Sequence, residues 1–278
     1  MLDRLLAPLG PRSPYPGSAD GALPEAYSSC LDPLETLAFA AAHTTSLGLG
    51  TSVLNLPWYR PLDLARRLAS LDVLSKGRLR VGFGLGWSED EYRGLGVTFH
   101  RRGRSAEDAL RALLALWRAD PVEFRGDGID VPPSRTGPKP VQRPHPPFYF
   151  AAFSEPALRR IAHYGDGWMP AGLPPAVVSD LWRQLLELTE AEGRDPMAQR
   201  LIIRANTVIT AEPAAPHVGP VRHVTDELLG FAEIGAHEIH LDLQFDAGIR
   251  TATHYLDTAE EILARLRDGL GEVESDAA

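Results

Sequence analysis

Blocks of apolar and polar residues along the chain predict helices and short buried strands in alternation. Leu64, Leu68 and Leu71 stand at helical spacing, and Gly77 follows them as a stop. The apolar run that comes next, 78–86, is short and nearly continuous, which is typical of a strand buried on both faces. The segments predicted in this way are helices at 33–45, 61–76, 105–118, 155–164, 175–192, 225–234 and 258–268, and strands at 47–55, 78–86, 147–152, 166–172, 201–210 and 237–244.

Residues that can cap a helix precede four of the predicted helices. Asp32 stands directly before a proline, and proline favours the first turn of a helix. Ser105 and Ser154 occupy the equivalent position before two later helices. The last helix opens on Thr258, three residues before Glu261, which is a capping-box signature. These side chains predict where the helices begin.

Strict alternation of strands and helices is typical of a parallel sheet that is covered by helices. Six strands are predicted, and two architectures fit them: an open doubly wound sheet or a closed (β/α)8 barrel. The glycine-dense strand end 82–86 lacks the third glycine of a dinucleotide-binding loop, and the pattern alone leaves both architectures open. The chain is predicted to form a single domain over 1–278, in which the proline-rich stretch 120–147 is a surface excursion and 271–278 is a frayed acidic tail.

Composition and charge restrict the classes of protein to which the chain can belong. Of its 278 residues, 44% are hydrophobic and 23% are charged, as in soluble globular proteins, and no apolar run of about 18 residues could span a membrane. The net charge of −9 disfavours nucleic acid as a partner. A single cysteine, Cys30, excludes an internal disulfide and fits a cytoplasmic protein. No metal site is expected, because His237 and His240 lie on opposite faces of one strand and no HExxH motif occurs.

The segment RVGFGLGWSEDEYRGLGV (80–97) carries the strongest local signal for chemistry. Glycines at 82, 84 and 86 leave one face of a strand without side chains, so that another backbone or a flat ring can approach closely. Glu89, Asp90 and Glu91 follow in a turn, at the strand end where the sites of a barrel are built. The alternative is a tight interior that requires small residues, with the acids in solvent.

Two further segments place polar residues at strand ends. Ser52 and Asn55 interrupt a strand that is otherwise fit for burial, so each needs a hydrogen-bond partner or a cavity. Asn55 could also simply begin a turn. Ser154 opens a helix whose free amides would suit a phosphate, and the alternative for this residue is plain capping.

Several of these segments together resemble the luciferase-like monooxygenase family, and most closely its branch that uses the deazaflavin coenzyme F420. The resemblance rests on GTSVLNLPWYRPLDLARRLASLDVLSKGRLRVGFGLGWSEDEYRGLGV (50–97), GPKPVQRPHPP (137–147), DGWMPAGLP (166–174) and HEIHLDL (237–243). These motifs occur in the order and spacing of the family, and the similarity extends over about residues 3 to 270.

The resemblance implies an α/β fold, a (β/α)8 TIM barrel of the bacterial luciferase-like type, with a flavin-type ring at the carboxyl ends of the strands. The implied cofactor is coenzyme F420, with FMN as the alternative. At Ser52 and Val53 the family often has a non-proline cis peptide that bulges against the ring. The implied cofactor-binding positions, for the ring and for the phosphate-bearing tail, are Ser52, Val53, Asn55, Gly84, Gly86, Trp87, Ala152, Phe153, Ser154, Ala171 and Gly172.

The chain departs from the family pattern in two places. Ala151 and Ala152 stand where the family commonly has two glycines, and their methyl groups could crowd a phosphate. Asp3 and Arg4 resemble an Asp-His pair near the ring, with arginine in place of histidine. At about 30–35 residues for each strand–helix unit, the family would place roughly 40–50 more residues upstream, so the barrel is expected to be N-terminally incomplete. Asp3 and Glu89 are candidate catalytic residues by position.

The resemblance therefore implies an oxidoreductase that transfers hydride between coenzyme F420 and a small organic substrate. The alternative within the family is an FMN-dependent monooxygenase that acts on paired donors with O2. The alternative of another class is a truncated, non-catalytic barrel or binding protein. A small-molecule substrate and a second copy of the chain, in a homodimer, are the expected partners.

Overall fold

The computed structural model describes residues 2–18, 20–126 and 128–276, with side chains through residue 270. The chain divides into two compact units: unit 1 holds Met1–Leu23 and Tyr27–Asp166, and unit 2 holds Pro24–Ala26 and Gly167–Ala278. The elements of unit 1 are α1 (Pro33–His43), β1 (Leu49–Asn55), α2 (Pro61–Leu74), β2 (Leu79–Gly84), α3 (Glu89–Gly94), α4 (Arg102–Arg118), β3 (Val122–Gly126), β4 (Ile129–Ser134), β5 (Phe148–Phe150) and α5 (Glu155–Tyr164). The elements of unit 2 are β6 (Gly167–Trp168), α6 (Pro175–Ala191), β7 (Arg200–Asn206), β8 (Val208–Ile209), β9 (Val218–Gly219), α7 (Val221–Glu233), β10 (Glu238–Asp242) and α8 (Ala252–Asp276). Short 3-10 helices lie at Glu25–Ser28, Leu56–Trp58, Phe99–Arg101 and Pro196–Ala198.

Unit 1 is built on three parallel strands in the order β1-β2-β5. Leu49 is paired with Leu79 at the start of β1, and Asn55 is paired with Gly84 at its end. The register shifts between Thr51 and Leu54, so β1 contains a bulge. Apolar side chains from all three strands are buried in the core of the unit, as the continuous apolar runs predict.

Unit 2 contains three further parallel strands, in the order β6-β7-β10. Asp242 is paired with Asn206 at the carboxyl ends of β10 and β7. Gly167 lies against the backbone of Arg200, where a Cβ would overlap the carbonyl group, so this position requires glycine. With the strands of unit 1, the described residues contain all six predicted strands, although β6 has only two residues and β7 ends before 210.

Four of the seven predicted helix starts are correct, and three are late: α4 begins at Arg102, α7 at Val221 and α8 at Ala252. Asp32 caps α1 as predicted, since its carboxylate accepts hydrogen bonds from the amides of Leu34 at 2.8 Å and Glu35 at 3.0 Å. Ser105 does not cap α4, because that helix continues directly from the 3-10 helix that precedes it and begins at Arg102. Thr258 lies inside α8.

The start of α8 lies six residues before the predicted one. The helix begins at Ala252, and the hydroxyl of Thr251 accepts a hydrogen bond from the amide of His254 at 3.1 Å. The tail 271–278 was expected to fray. It is helical through Asp276, and residues 277 and 278 lie outside the described part.

The stretch 120–147 contains an antiparallel hairpin, β3–β4, for which the sequence predicted no strands. Val122 and Val131 are buried, while most of the other side chains of the hairpin are exposed. The segment after the hairpin is fixed by the buried Asp72 of α2, whose carboxylate accepts hydrogen bonds from the amides of Val141 at 2.7 Å and Gln142 at 3.0 Å.

A six-residue helix, α3, also went unpredicted, since Glu89, Asp90 and Glu91 were expected to lie in a turn. Among the described residues, none of the helices combines the length and the apolar character that crossing a membrane would require.

Candidate active site

The bulge in β1 brings the side chain of Val53 against β2. The peptide bond between Ser52 and Val53 is cis, which confirms the cis peptide that the resemblance implied at this position. A Cβ on Gly84 would overlap the Cγ2 atom of Val53. Gly84 is therefore needed to make room for Val53. The glycine face was expected to be bare, but at Gly84 it is covered by the side chain of Val53.

Gly86 is the second glycine that the site requires, for two reasons. Its φ is +69°, in the left-handed region that glycine adopts without strain. A Cβ there would also lie 3.1 Å from Oδ1 of Asn55 and 3.2 Å from the ring of Trp58. The backbone at Gly86 thus packs closely on the end of β1.

Four residues at or just after the carboxyl ends of β1 and β2 are half exposed, and together they are called the strand-end shelf: Val53, Leu85, Gly86 and Trp87. Ser52 and Asn55 beside them are buried, with exposed fractions of 9% and 5%. The shelf is mainly apolar, and buried polar groups lie at its edge. A role of the shelf in holding a flavin-type ring stays a prediction.

Asp3 is bound to the end of β1. Its Oδ2 accepts a hydrogen bond from the backbone amide of Asn55 at 2.7 Å, and its Oδ1 accepts one from the hydroxyl of Tyr59 at 3.0 Å. The carboxyl is buried, and this burial raises its pKa to about 6, although both hydrogen bonds act in the opposite direction. Burial and the carboxylate of Asp3 also raise the pKa of Tyr59. Both oxygens of Asp3 are engaged, so its geometry suits positioning of Asn55.

Arg4 and Glu91 form a buried ion pair beside the shelf. The guanidinium of Arg4 donates to the carboxylate of Glu91, and the two side chains are 6% and 0% exposed. The guanidinium carbon also lies 4.7 Å from the ring centroid of Tyr27 and 4.8 Å from that of Trp87. Burial raises the pKa of Glu91, against the opposing effects of the Leu5 amide and Arg4.

In the sequence, Glu91 is only one of three acids that follow the end of a predicted strand. Glu91 lies on the buried side of the short helix α3. Because that helix was not predicted, the burial of Glu91 could not be predicted either. The departure from the family pattern at Arg4 therefore coincides with a buried acidic partner on α3.

Glu89, the other candidate catalytic residue, lies at the amino end of α3 and contacts a different part of the N-terminal segment. Its carboxylate is 4.0 Å from the guanidinium of Arg12, and its amide donates to the hydroxyl of Ser13 at 3.1 Å. The neighbouring Asp90 accepts a hydrogen bond from the amide of Arg12 at 2.8 Å. These contacts hold the N-terminal segment along α3, and a catalytic role of Glu89 stays a prediction.

The positions predicted for the phosphate-bearing tail lie in both units. In unit 1, a small cavity is lined by Gly84, Leu85, Ala151 and Ala152, so the structure places Ala152 near the shelf. Phe153 is exposed, and Ser154 precedes α5 without a side-chain capping bond.

Ala171 and Gly172 belong to unit 2. Ala171 pairs with Arg204 of β7, and Gly172 has a φ of +66°. The guanidinium of Arg204 donates to the carboxylate of Asp242 at 3.1 Å, at the carboxyl ends of β7 and β10. A role of these residues in binding a cofactor stays a prediction. Among the described residues, no cluster of three His, Cys, Asp or Glu side chains is arranged to hold a metal ion.

Comparison with known proteins identifies the family of the chain, and the similar proteins include F420-dependent and FMNH(2)-dependent enzymes. The model of the family described as luciferase-like monooxygenase matches residues 18–218. The uncharacterized protein Rv0953c of Mycobacterium tuberculosis is 32% identical over 239 residues, which is 84% of this chain and 77% of that protein. The FMNH(2)-dependent dimethylsulfone monooxygenase of Pseudomonas putida is 31% identical over 134 residues, which is 47% of this chain and 37% of that enzyme.

A solved structure with a similar fold is that of an F420-dependent secondary alcohol dehydrogenase in complex with an F420–acetone adduct. The TM-score is 0.70 at 16% identity, with 86% of this chain and 85% of that chain covered. This likeness confirms the predicted fold class, an α/β barrel fold of the luciferase-like type.

Proposed function

The chain belongs to the luciferase-like monooxygenase family, and from this premise we propose that it is an oxidoreductase that transfers hydride between coenzyme F420 and a small organic substrate. Members of the family are oxidoreductases or monooxygenases, and its known proteins include F420-dependent and FMN-dependent enzymes. The similar fold of an F420-dependent secondary alcohol dehydrogenase supports the choice of F420 and of a small substrate.

The strand-end shelf is the observation that carries this proposal. Val53, Gly86 and Trp87 would hold one face of the ring, because they are half exposed and mainly apolar. Ser52 and Asn55 would lie at its polar edge. A bound, reduced deazaflavin supplies a hydride equivalent from its ring carbon, and the protein supplies the surface that orients the ring and excludes water from it.

Asp3 acts in this proposal as a positioning residue. It fixes the backbone amide of Asn55, and its own main-chain carbonyl accepts a hydrogen bond from the side-chain amide of Asn55 at 2.9 Å. These two bonds leave Oδ1 of Asn55 directed at Gly86, at the edge of the shelf. Asp3 therefore sets the polar edge that a ring would meet.

FMN is the second candidate cofactor. The similarity to the FMNH(2)-dependent dimethylsulfone monooxygenase supports it, although that similarity covers only about half of this chain. The reaction in that case would be a monooxygenation that consumes reduced flavin and O2.

A titration of the purified protein with each cofactor tests the proposal. We expect F420 to bind with a Kd of about 1 µM or lower, and FMN at least tenfold more weakly, as measured by cofactor fluorescence. The variant Val53→Glu places a charge on the shelf and should abolish binding. Met197→Glu is the matched control, because Met197 is exposed and lies in unit 2. Tighter binding of FMN would favour the monooxygenase, and binding of neither cofactor below about 1 mM would contradict any redox function.

A further inference from the structure

A second concave site lies in unit 1, away from the shelf. It is a cavity of about 610 Å³ between α2, the end of α4 and the hairpin β3–β4 with the loop that follows it. Pockets that bind small molecules in proteins usually have volumes of roughly 300–1,000 Å³. Its lining includes the apolar residues Ala65, Leu116, Trp117 and Val131 and the arginines Arg60 and Arg135.

The floor of the cavity is apolar and fixed. Ala65, Leu116, Trp117 and Val131 are all at least nine-tenths buried. The indole N–H of Trp117 donates to the carbonyl of Ala65 at 3.1 Å, which satisfies the one polar group of its side chain and holds the ring in place. The floor therefore offers a rigid apolar surface to the body of a ligand.

One wall of the cavity is held by a lysine that caps a helix. The ammonium of Lys139 donates to the carbonyls of Leu116 at 2.6 Å and Ala119 at 2.8 Å, at the carboxyl end of α4. It also donates to the hydroxyl of Thr136 at 2.8 Å. These bonds fix the loop after β4 against α4, so the cavity is formed in advance of any ligand.

The charges at the rim leave a positive excess. Asp63 is paired with Arg66 at 3.1 Å, and Asp130 lies 3.6 Å from Arg125, which is outside the lining and also contacts Glu123 at 3.6 Å. Arg60 and Arg135 also line the cavity, and within the part of the chain that the structure describes neither guanidinium has a carboxylate partner. The lining thus holds three arginines and two aspartates, a net charge of +1, in a protein whose net charge is −9.

We propose that this cavity binds a small amphipathic organic anion. Its apolar body would pack on the floor formed by Trp117 and Val131, and its carboxylate would pair with Arg60 and Arg135. Arg60 follows Tyr59, whose hydroxyl donates to Asp3. The cavity shares no residue with the strand-end shelf, so the proposal does not depend on which cofactor the shelf takes.

The test uses 4-phenylbutyrate as the probe and the neutral 4-phenylbutyramide as its matched counterpart. Binding to the full chain is followed on the indole N–H resonances in nitrogen-15 NMR spectra, with the Trp117 signal assigned from Trp117→Phe. We expect phenylbutyrate to shift the Trp117 signal saturably, and the amide to bind at least fivefold more weakly. Absence of a shift at Trp117 would overturn the proposal, and so would equal affinity of the two compounds.

Variants of the exposed arginines provide the second arm. Arg60→Met together with Arg135→Met should weaken phenylbutyrate at least tenfold and leave the amide unchanged. Arg222→Met is the control, since Arg222 is an exposed arginine in unit 2 that does not line the cavity. Unchanged affinity in the double variant would show that the arginines do not hold the anion and would overturn the assignment. The comparison of the two compounds on the parent protein decides the matter even if the double variant unfolds.

Discussion

Asp3 and Asn55 are joined by two hydrogen bonds across 52 positions of the chain. The carboxylate of Asp3 accepts from the backbone amide of Asn55 at 2.7 Å, and the backbone carbonyl of Asp3 accepts from the side-chain amide at 2.9 Å. The proline- and glycine-rich N-terminal segment is thereby fixed to the end of β1. Because the carboxyl group of Asp3 is buried only in the folded chain, its pKa differs between the folded and unfolded states.

Lowering the pH should stabilise the protein through Asp3. The pKa of this carboxyl is about 6 in the folded chain, against an ordinary value of 3.8. Between about pH 4 and pH 6 the folded state binds more protons than the unfolded state, so stability falls as the pH rises through this range. Two pKa units correspond to about 3 kcal/mol at most.

The measurement is urea unfolding of the parent and of Asp3→Asn at pH 4.5 and pH 7. The amide does not titrate, so the parent should gain about 2 kcal/mol relative to the variant at the lower pH. A difference between the two proteins that is independent of pH would show that the pKa of Asp3 is not raised.

Loss of either partner of the Arg4–Glu91 pair should destabilise the protein strongly. Both side chains are buried, and removal of one leaves a buried charge without a partner, which costs about 3–5 kcal/mol. We expect Arg4→Ala and Glu91→Ala each to show a loss of this size in urea unfolding. In the double variant no charge is left unpaired, so its loss should be clearly smaller than the sum of the two. Strict additivity would mean that the pair is not coupled.

Alanine at Gly84 should destabilise the protein because its Cβ would overlap Val53. Overpacking of this kind costs about 1–3 kcal/mol. Val53→Ala removes the overlapping methyl group, so the double variant should recover most of the loss in thermal or urea unfolding. Gly10→Ala is the control, since a Cβ at Gly10 meets no atom within 4 Å and should change stability by less than about 0.5 kcal/mol. A Gly84→Ala protein as stable as the parent would contradict the contact.

Truncation of the Trp87 side chain to alanine should weaken cofactor binding and also make the N-terminal segment more mobile. The ring of Trp87 is part of the shelf, and it packs on the guanidinium of Arg4 and on the ring of Tyr15 at a centroid distance of 5.4 Å. We expect Trp87→Ala to reduce F420 affinity by about tenfold, or about 1.4 kcal/mol, in the fluorescence titration.

Limited proteolysis of the same variant should cut the chain within residues 5–18 faster than in the parent. Met197→Ala serves as the control for both measurements, because Met197 is exposed and lies in unit 2. If Trp87→Ala changed neither the affinity for F420 nor the rate of cleavage within residues 5–18, Trp87 would neither bind the cofactor nor hold the N-terminal segment.

The sequence was sufficient for the features that depend on near neighbours. Short, nearly continuous apolar runs located all six parallel strands, and Asp32 before Pro33 located the start of α1. Strand burial and helix capping involve residues only a few positions apart. The motifs between 50 and 97 were specific enough to imply the family and the cis peptide at Ser52, both of which are confirmed.

The tertiary structure decided which distant residues meet. That Val53 covers Gly84, that Glu91 pairs with Arg4, and that Arg60 and Arg135 line one cavity with Trp117 all depend on how separate elements pack. Hydrophobic periodicity specifies which face of an element is buried but not which partner it meets. The buried charges near the N-terminus were therefore invisible in the sequence, since their environment is created by residues dozens of positions away.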